Sequence, residues 1–285
     1  MSLSTVSNVV ENNRALYRKV NADAWQQSVI ELLKGSDFWK YSARMSDCGS
    51  PRGLNCACCG HKKVVKYWCM SRFCLSCARR FNGMMYQKIK ARYEWLKSRQ
   101  EVAGYGLKLI TLTIKTDGDV KWAMEKLKFL PKLWNKILKK KSDGKVRSGL
   151  VTAYEFGKQS LNLHIHGLYY GPYISQKLVS DTWYHLTGSY VVDIRKADDY
   201  AIYEIIKYTA DLTKLSPEQI LTLVGVMDGK RRIRTYGVFY SEDIKELELK
   251  LKILYQEIVA CPVCDCKDWI TDNQLEFMYR RARSP

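Results

Sequence analysis

The sequence lacks any apolar run near the ~18 residues that a membrane-crossing helix requires. It carries no lipidation signal and no strongly basic amphipathic terminus. Both absences argue against a membrane role. The opening stretch MSLSTVSNVVENNRALYRKV has neither the apolar segment nor the cleavage site of a secretory signal, which gives the expectation of an intracellular, cytoplasmic protein. No GxxxxGK[ST] loop is present, which argues against a fused P-loop motor. There is no internal repeat and no long low-complexity linker. Acidic residues are scarce, 29 against 47 Lys plus Arg, for a formal net charge of +18. Histidine is scarcer still, with four in 285 residues.

What remains is a chain with enough apolar residues, 46 %, to bury a core. Its length suits one large domain, or one catalytic domain with small appendages. The excess of cations suits a polyanionic partner, because each Lys or Arg that neutralises a phosphate releases counterions. Charge kept only for solubility is the rival explanation. Ten cysteines in a reducing compartment point to metal rather than to disulfides.

Residues 1–45 read as helical, with Trp25, Val29, Leu32 and Leu33 at helical spacing. Residues 46–80 are loop-rich and hold seven of the ten cysteines. A basic helix spans about Arg80 to Gln100, and Leu107–Lys115 reads as a strand. There Ile110, Leu112 and Ile114 face one side, and Thr111 and Thr113 the other. A helix follows over Val120–Lys139. A hairpin comes next, with strands Leu150–Phe156 and Leu161–Tyr170 about a turn at Gly157–Ser160. The remaining expectations are a helix at Gln176–Leu186, a strand at Tyr190–Ile194 and a helix at Asp199–Leu212. A short helix at Pro217–Val224, a basic strand at Arg231–Tyr240, a charged helix at Glu242–Ile258 and a last basic helix complete the order. The order implies an α+β fold with a central antiparallel sheet covered by helices.

His164-Ile165-His166 places two imidazoles on one face of a strand, with Leu163 and Ile165 on the other. Glu155, on the other arm of the hairpin, is the expected third ligand. Two imidazoles and a carboxylate leave positions open on a divalent cation, Mg²⁺ or Mn²⁺, for phosphate oxygens and water. An isolated His-x-His pair is often just two histidines on a half-exposed strand. The helix after it reads Tyr200-Ala-Ile-Tyr203-Glu204-Ile-Ile-Lys207-Tyr208. A tyrosine, with an ordinary pKa of ~10, becomes a nucleophile only beside a cation that stabilises its phenolate.

A Thr-containing strand (Leu109-Ile110-Thr111-Leu112-Thr113), a His-apolar-His strand and a later tyrosine helix, in that order, resemble the HUH single-strand DNA endonucleases. Within them the chain looks most like the plasmid and virus rolling-circle replication initiators, over roughly residues 56–240. The resemblance implies an HUH-like core that nicks and rejoins single-stranded origin DNA through a 5′-phosphotyrosyl intermediate. The free 3′-OH would prime a polymerase, and a host helicase would unwind the duplex. The family pattern favours Tyr208 as nucleophile, with Glu204 four residues before it to activate water; Lys207 either contacts the scissile phosphate or is simply solvated. Tyr203 with Lys207 matches a second branch, and Tyr200 also competes, so the choice stays open. A transposase with the same chemistry and a non-catalytic zinc-dependent DNA-binding regulator are the competing readings.

Cys56/Cys59 and Cys74/Cys77 are C-x-x-C knuckles, whose spacing lets two thiolates reach one tetrahedral Zn²⁺. These four close one structural site, with Cys58, Cys69 and His61 competing for places in it. Cys261, Cys264 and Cys266 form a second cluster, one ligand short. Cys48, Cys69 or His61 folding over from the N-terminal region would complete it and staple the chain's ends together. Arg79, Arg80, Lys88 and Arg92 on the basic helix, and Arg231, Arg232 and Arg234 on the basic strand, are the expected phosphate contacts. The organisation expected is an N-terminal helical segment (1–45), a zinc element with the basic helix (46–104), the nuclease core (105–240) and a C-terminal helix with a Cys cluster (241–285). The sequence does not reveal the oligomeric state or the DNA site recognised.

Overall fold

A computed structural model describes residues 21–99, 105–116, 118–142, 144–208, 212–227, 230–240 and 260–271. The chain enters through α1 (residues 21–34) and α2 (Trp39–Ser46), then the hairpin β1 (Pro51–Cys56) and β2 (Lys62–Lys66). After α3 (Leu75–Lys97) come β3 (Gly106–Ile114), α4 (Val120–Lys126), α5 (Leu130–Leu133) and a small hairpin, β4 (Lys141–Ser142) with β5 (Lys145–Val146). The second half runs β6 (Gly149–Phe156), β7 (Leu163–Gly171), α6 (Gln176–Thr187), β8 (Val192–Ala197), α7 (Ala201–Tyr208), α8 (Pro217–Met227), β9 (Ile233–Gly237) and β10 (Trp269–Thr271).

The central sheet has the order β8-β3-β7-β6-β9, with every neighbour antiparallel. The fold is therefore α+β, an antiparallel sheet flanked by helices. Strand alternation splits the core in two. Ile110, Leu112, Ile114, Leu163, Ile165 and Tyr154 point to one face, against Leu130, Leu133, Trp183 and Val179. Leu107, Leu109, Val151, Ala153, Leu168 and Tyr170 point to the other, against Ile89, Leu96, Ile202, Ile205 and Ile206 of α3 and α7. Each such aliphatic side chain, fully buried, contributes about 1.5–3 kcal/mol. A side-chain bond from Asn82 to the Ile206 carbonyl joins the start of α3 to the end of α7. Lys97 and Asp199 join the opposite ends, so the two helices run antiparallel over that face.

Several boundaries differ from the sequence expectation. The helix expected over Val120–Lys139 is broken into α4, a 3-10 turn at Leu127–Phe129, α5 and a π turn at Trp134–Leu138. Pro131, which lacks an N–H to continue a helix, sits in the first turn of α5. The Cys-rich stretch carries the β1–β2 hairpin as well as loops. The helix over Asp199–Leu212 is regular from Ala201 to Tyr208, with a separate 3-10 turn at Leu212–Lys214. The basic strand ends at Gly237, whose φ of +60° and contact with the Ser148 carbonyl and the Trp134 ring leave no room for a Cβ. A 3-10 turn, Val238–Tyr240, follows. The helices expected at Glu242–Ile258 and beyond β10, and residues 1–20, lie outside the described residues. No helix among the described residues is long and apolar enough to cross a membrane.

Candidate active site and metal centres

The alternation that buries Leu168 and Tyr170 under α3 and α7 puts His164 and His166 on that same face, two and four residues back along β7. In-register pairing fixes their neighbours. Thr111 and Thr113 on β3 stand opposite His166 and His164, and Glu155 on β6 stands opposite His164. Thr113 Oγ1 is 3.1 Å from His164 Nδ1, and Thr111 Oγ1 is 3.4 Å from His166 Nδ1. Glu155 Oε2 is 2.7 Å from His166 Nε2, and the Lys214 ammonium pairs with Glu155 Oε1. Burial pushes the Glu155 carboxyl up, but His166 and Lys214 outweigh it and bring it down to about 2. Burial, then the neighbouring His166, pushes His164 down. The donor types and their shared face suit a divalent cation. In this structure, however, the side chains bond one another, and their ligand atoms are not gathered around one centre as the cysteine sulfurs are.

Beyond the apolar end of the site lies α7. Its buried side chains are Ala201, Ile202, Ile205 and Ile206. Tyr200 and Tyr203 are exposed and lie together, with ring centroids 5.4 Å apart, and Tyr203 meets Tyr86 of α3 edge-on at 6.4 Å. Glu204 faces Arg195 of β8 at 3.5 Å, and Lys207 is exposed. Tyr208 is the last residue of α7. Six residues on in the sequence, Lys214 reaches Glu155 on the histidine face. Lys214 and Arg195 were missed by sequence reasoning. Neither belongs to a motif, and only the fold brings them in.

The cysteines fall into two four-sulfur groups that divide the knuckles differently from the sequence expectation. Cys48, Cys69, Cys74 and Cys77 form one; Cys56, Cys59, Cys261 and Cys264 form the other. In the first, Cys48 and Cys77 sulfurs are 3.5 Å apart, with Cys69–Cys77 and Cys48–Cys74 at 3.6 Å. In the second, Cys56–Cys264 is 3.5 Å and Cys59–Cys261 is 3.6 Å. A tetrahedron with 2.3 Å Zn–S bonds has edges of about 3.8 Å, so both groups fit an ion such as zinc. The bond from Cys69, then the Cys77 backbone N–H, pulls Cys74 down to about 5 against the effect of burial. Cys56/Cys59 and Cys74/Cys77 therefore do not share an ion. The partner of the C-terminal cluster is the Cys56/Cys59 knuckle rather than Cys48, Cys69 or His61. Cys266, expected as a ligand, is bonded to Cys58. The C-terminal cluster is also tied to the N-terminal half by strand pairing that sequence reasoning did not foresee, since β10 pairs with β1 in a sheet of order β10-β1-β2.

A cavity of about 820 Å³ opens between α3 and β9. Seven of its lining residues are cations: Arg72, Lys88, Arg92, Lys230, Arg231, Arg232 and Arg234. Phe81, Tyr236 and Tyr240 also line it, and no Asp or Glu does. Arg232 is buried over the Phe73 ring at 4.8 Å, and burial, then nearby Arg72, pushes it down to about 9. Arg72 donates to the Lys230 carbonyl at 2.6 Å and Arg92 to the Phe239 carbonyl at 2.5 Å. Five of the sequence candidates thus meet in one groove, joined by Arg72 and Lys230, which sequence reasoning did not single out. Arg79 is exposed elsewhere on α3, and Arg80 lies over the Trp68 ring at 4.8 Å. The groove lies along the β9 edge of the sheet, where Arg234 pairs with Thr152, three residues before Glu155 on β6; that odd offset turns Arg234 to the face opposite Glu155 and the histidines. That offset is about 10 Å along the strand.

An antiparallel sheet carrying a paired-histidine face, two sets of metal-ready thiols and a basic groove define an α+β protein equipped to handle nucleic acid. The family model described as replication protein matches residues 61–256, and the chain belongs to that family. No curated protein and no solved structure matches it.

Proposed function

We propose that this replication protein starts rolling-circle replication by nicking and rejoining single-stranded DNA. The observation that carries this reading is the shared face. His164, His166 and Glu155 occupy one end of the sheet surface whose other end is covered by α7, the tyrosine helix. His164, His166 and Glu155 are the residues that would hold Mg²⁺ or Mn²⁺. When bound, such a cation would neutralise charge on the scissile phosphate and favour the tyrosine phenolate.

Tyr208 is the nucleophile in this reading. Its Oη attacks phosphorus, the bond to O3′ breaks, and the products are a 5′-phosphotyrosyl strand and a free 3′-OH. Attack by a 3′-OH or by water on the phosphotyrosine later releases the enzyme. The position of Tyr208, at the end of α7 and six residues before the Lys214 that pairs with Glu155, supports this choice over Tyr203, which lies against Tyr86. Lys207 contacts the phosphate and Glu204 activates water in the hydrolytic step. The basic groove guides the single strand to the site, and its aromatic residues offer surfaces for unpaired bases. Zinc in the two cysteine groups has a structural role, since four thiolates leave no open position.

The test is incubation of labelled single-stranded origin DNA with the protein and Mn²⁺, followed by a denaturing gel. A covalent adduct is expected, absent in Tyr208→Phe and in His166→Ala. Adduct surviving Tyr208→Phe but lost in Tyr203→Phe moves the nucleophile back along the helix. Firm binding with the DNA intact throughout overturns the nicking mechanism and favours a zinc-dependent DNA-binding regulator.

A further inference from the structure

Six of the ten cysteines meet at the seam between the two ends of the chain. Four of them, Cys56, Cys59, Cys261 and Cys264, form a four-sulfur group that could hold a metal ion. The two turns that carry them are built alike. Gly60 (φ +71°) donates to the Cys56 carbonyl at 2.9 Å, and Asp265 (φ +55°) donates to the Cys261 carbonyl at 2.8 Å. The Cys56 N–H then donates to the carbonyl of His61, and the Cys261 N–H to that of Cys266. Cys266 thus stands where His61 stands in the other turn, and Cys58 where Val263 stands. Neither is used by the knuckle geometry, yet their sulfurs are bonded to each other across 208 residues of sequence, with Cα atoms 6.4 Å apart. Besides the knuckles, the seam carries three paired positions between β1 and β10, the Ala57 N–H donating to Asp268, and Trp269 of β10 against His61 and under the Lys63 ammonium. Pairing that short does not hold a strand by itself.

We propose that Cys58 and Cys266 form a reversible thiol–disulfide pair, a second fastener on the seam that the metal also closes. One fastener needs zinc and the other needs oxidation, so the C-terminal strand stays attached when either is present. The exchange balances with a low-molecular-weight disulfide such as oxidised glutathione. One cysteine thiolate attacks it, forming a mixed disulfide and releasing one glutathione thiol. The second cysteine displaces the other, so two protein thiols are oxidised and glutathione disulfide is reduced to two thiols. Access is open, since Cys58 is exposed and Cys266 half-buried.

The test uses the full chain, equilibrated in reduced or oxidised glutathione, alkylated, digested with trypsin and read by mass spectrometry, with zinc counted in parallel. Oxidised samples should give one linked pair of peptides, joined through Cys58 and Cys266, that is lost on reduction and absent from Cys58→Ser. Bound zinc should be the same in both redox states. After zinc is stripped with a chelator, oxidised wild type should keep the C-terminal peptide protected from protease, and Cys58→Ser should lose that protection. Both cysteines fully alkylated after oxidation overturns the proposal. So does zinc loss on oxidation, which would mean that knuckle sulfurs were consumed. A metal equivalent that disappears in Cys58→Ser also overturns it, and makes the pair ligands instead.

Discussion

Thr113 Oγ1 lies 3.1 Å from Nδ1 of His164, its register partner across β3 and β7. When Nδ1 carries the proton and donates to the hydroxyl, the Nε2 lone pair is left to bind a cation, and the ring cannot swing away. Thr111 repeats the arrangement at His166. Partners of this kind are worth about 10–100-fold in metal affinity. Thr113→Val keeps the strand's shape and removes the hydroxyl. The Mn²⁺ concentration giving half-maximal nicking should rise by about that factor with little change in thermal stability. A midpoint equal to wild type would show that Thr113 only fills space.

Glu155 gives a pH-dependent stability. Its folded pKa, about 2, lies below the ordinary 4.5. Ionised Glu155 therefore stabilises the fold above pH 4.5, and that contribution fades as pH falls toward 2. With the side chain 16 % exposed, the shift corresponds to about 3 kcal/mol, an order-of-magnitude value. Urea unfolding of the metal-free protein between pH 6 and pH 3 should show wild type losing more stability than Glu155→Gln. Parallel losses would mean that the pairing with His166 and Lys214 does not persist in solution.

The histidine face was legible in the sequence because strand alternation is a fixed period. Once His164-Ile165-His166 is a strand, Ile165 must be buried and the imidazoles must share a side. Glu155 followed from the hairpin turn. Lys214 did not, since it reaches Glu155 from a short 3-10 turn after α7 that has no periodic signature. The C-x-x-C spacing fixed which two cysteines share a turn, but not which turns meet. That depends on β10 crossing back to β1, a contact about 215 residues away in sequence. Pro131 was readable as a helix breaker, and the apolar periodicity through Leu130, Leu133 and Ile137 masked it.

The two cysteine groups should release metal at different rates. Cys69, Cys74 and Cys77 are buried and the first group anchors the start of α3, whereas Cys59 and Cys264 of the second are exposed. A chromogenic chelator should therefore take one zinc per chain quickly and the other slowly, each with its own phase. Cys264→Ser should abolish the fast phase and leave α3 folded. Cys74→Ser should lower thermal stability sharply, because it leaves buried thiols without their ion. A single phase that withdraws both ions together would show that the groups open as one unit.

The groove makes a quantitative claim about salt. Arg72 adjoins Arg231 and Arg232, and these cations repel one another, which is why burial and like charge push Arg72 and Arg232 down. A phosphate chain relieves that repulsion and releases its own counterions. Each lost phosphate contact on a single strand should flatten the plot of log affinity against log salt by about 0.7. Arg231→Ala is exposed and keeps the fold, so it should weaken single-strand binding at low salt and reduce the slope by about that amount. Arg72→Ala should do the same and also lose its bond to the Lys230 carbonyl. Binding measured without divalent metal, in a His166→Ala background, separates the groove from the nicking site. If both arginine variants keep the wild-type slope there, the strand does not run through the groove, and the DNA path to the nicking site lies elsewhere on the protein.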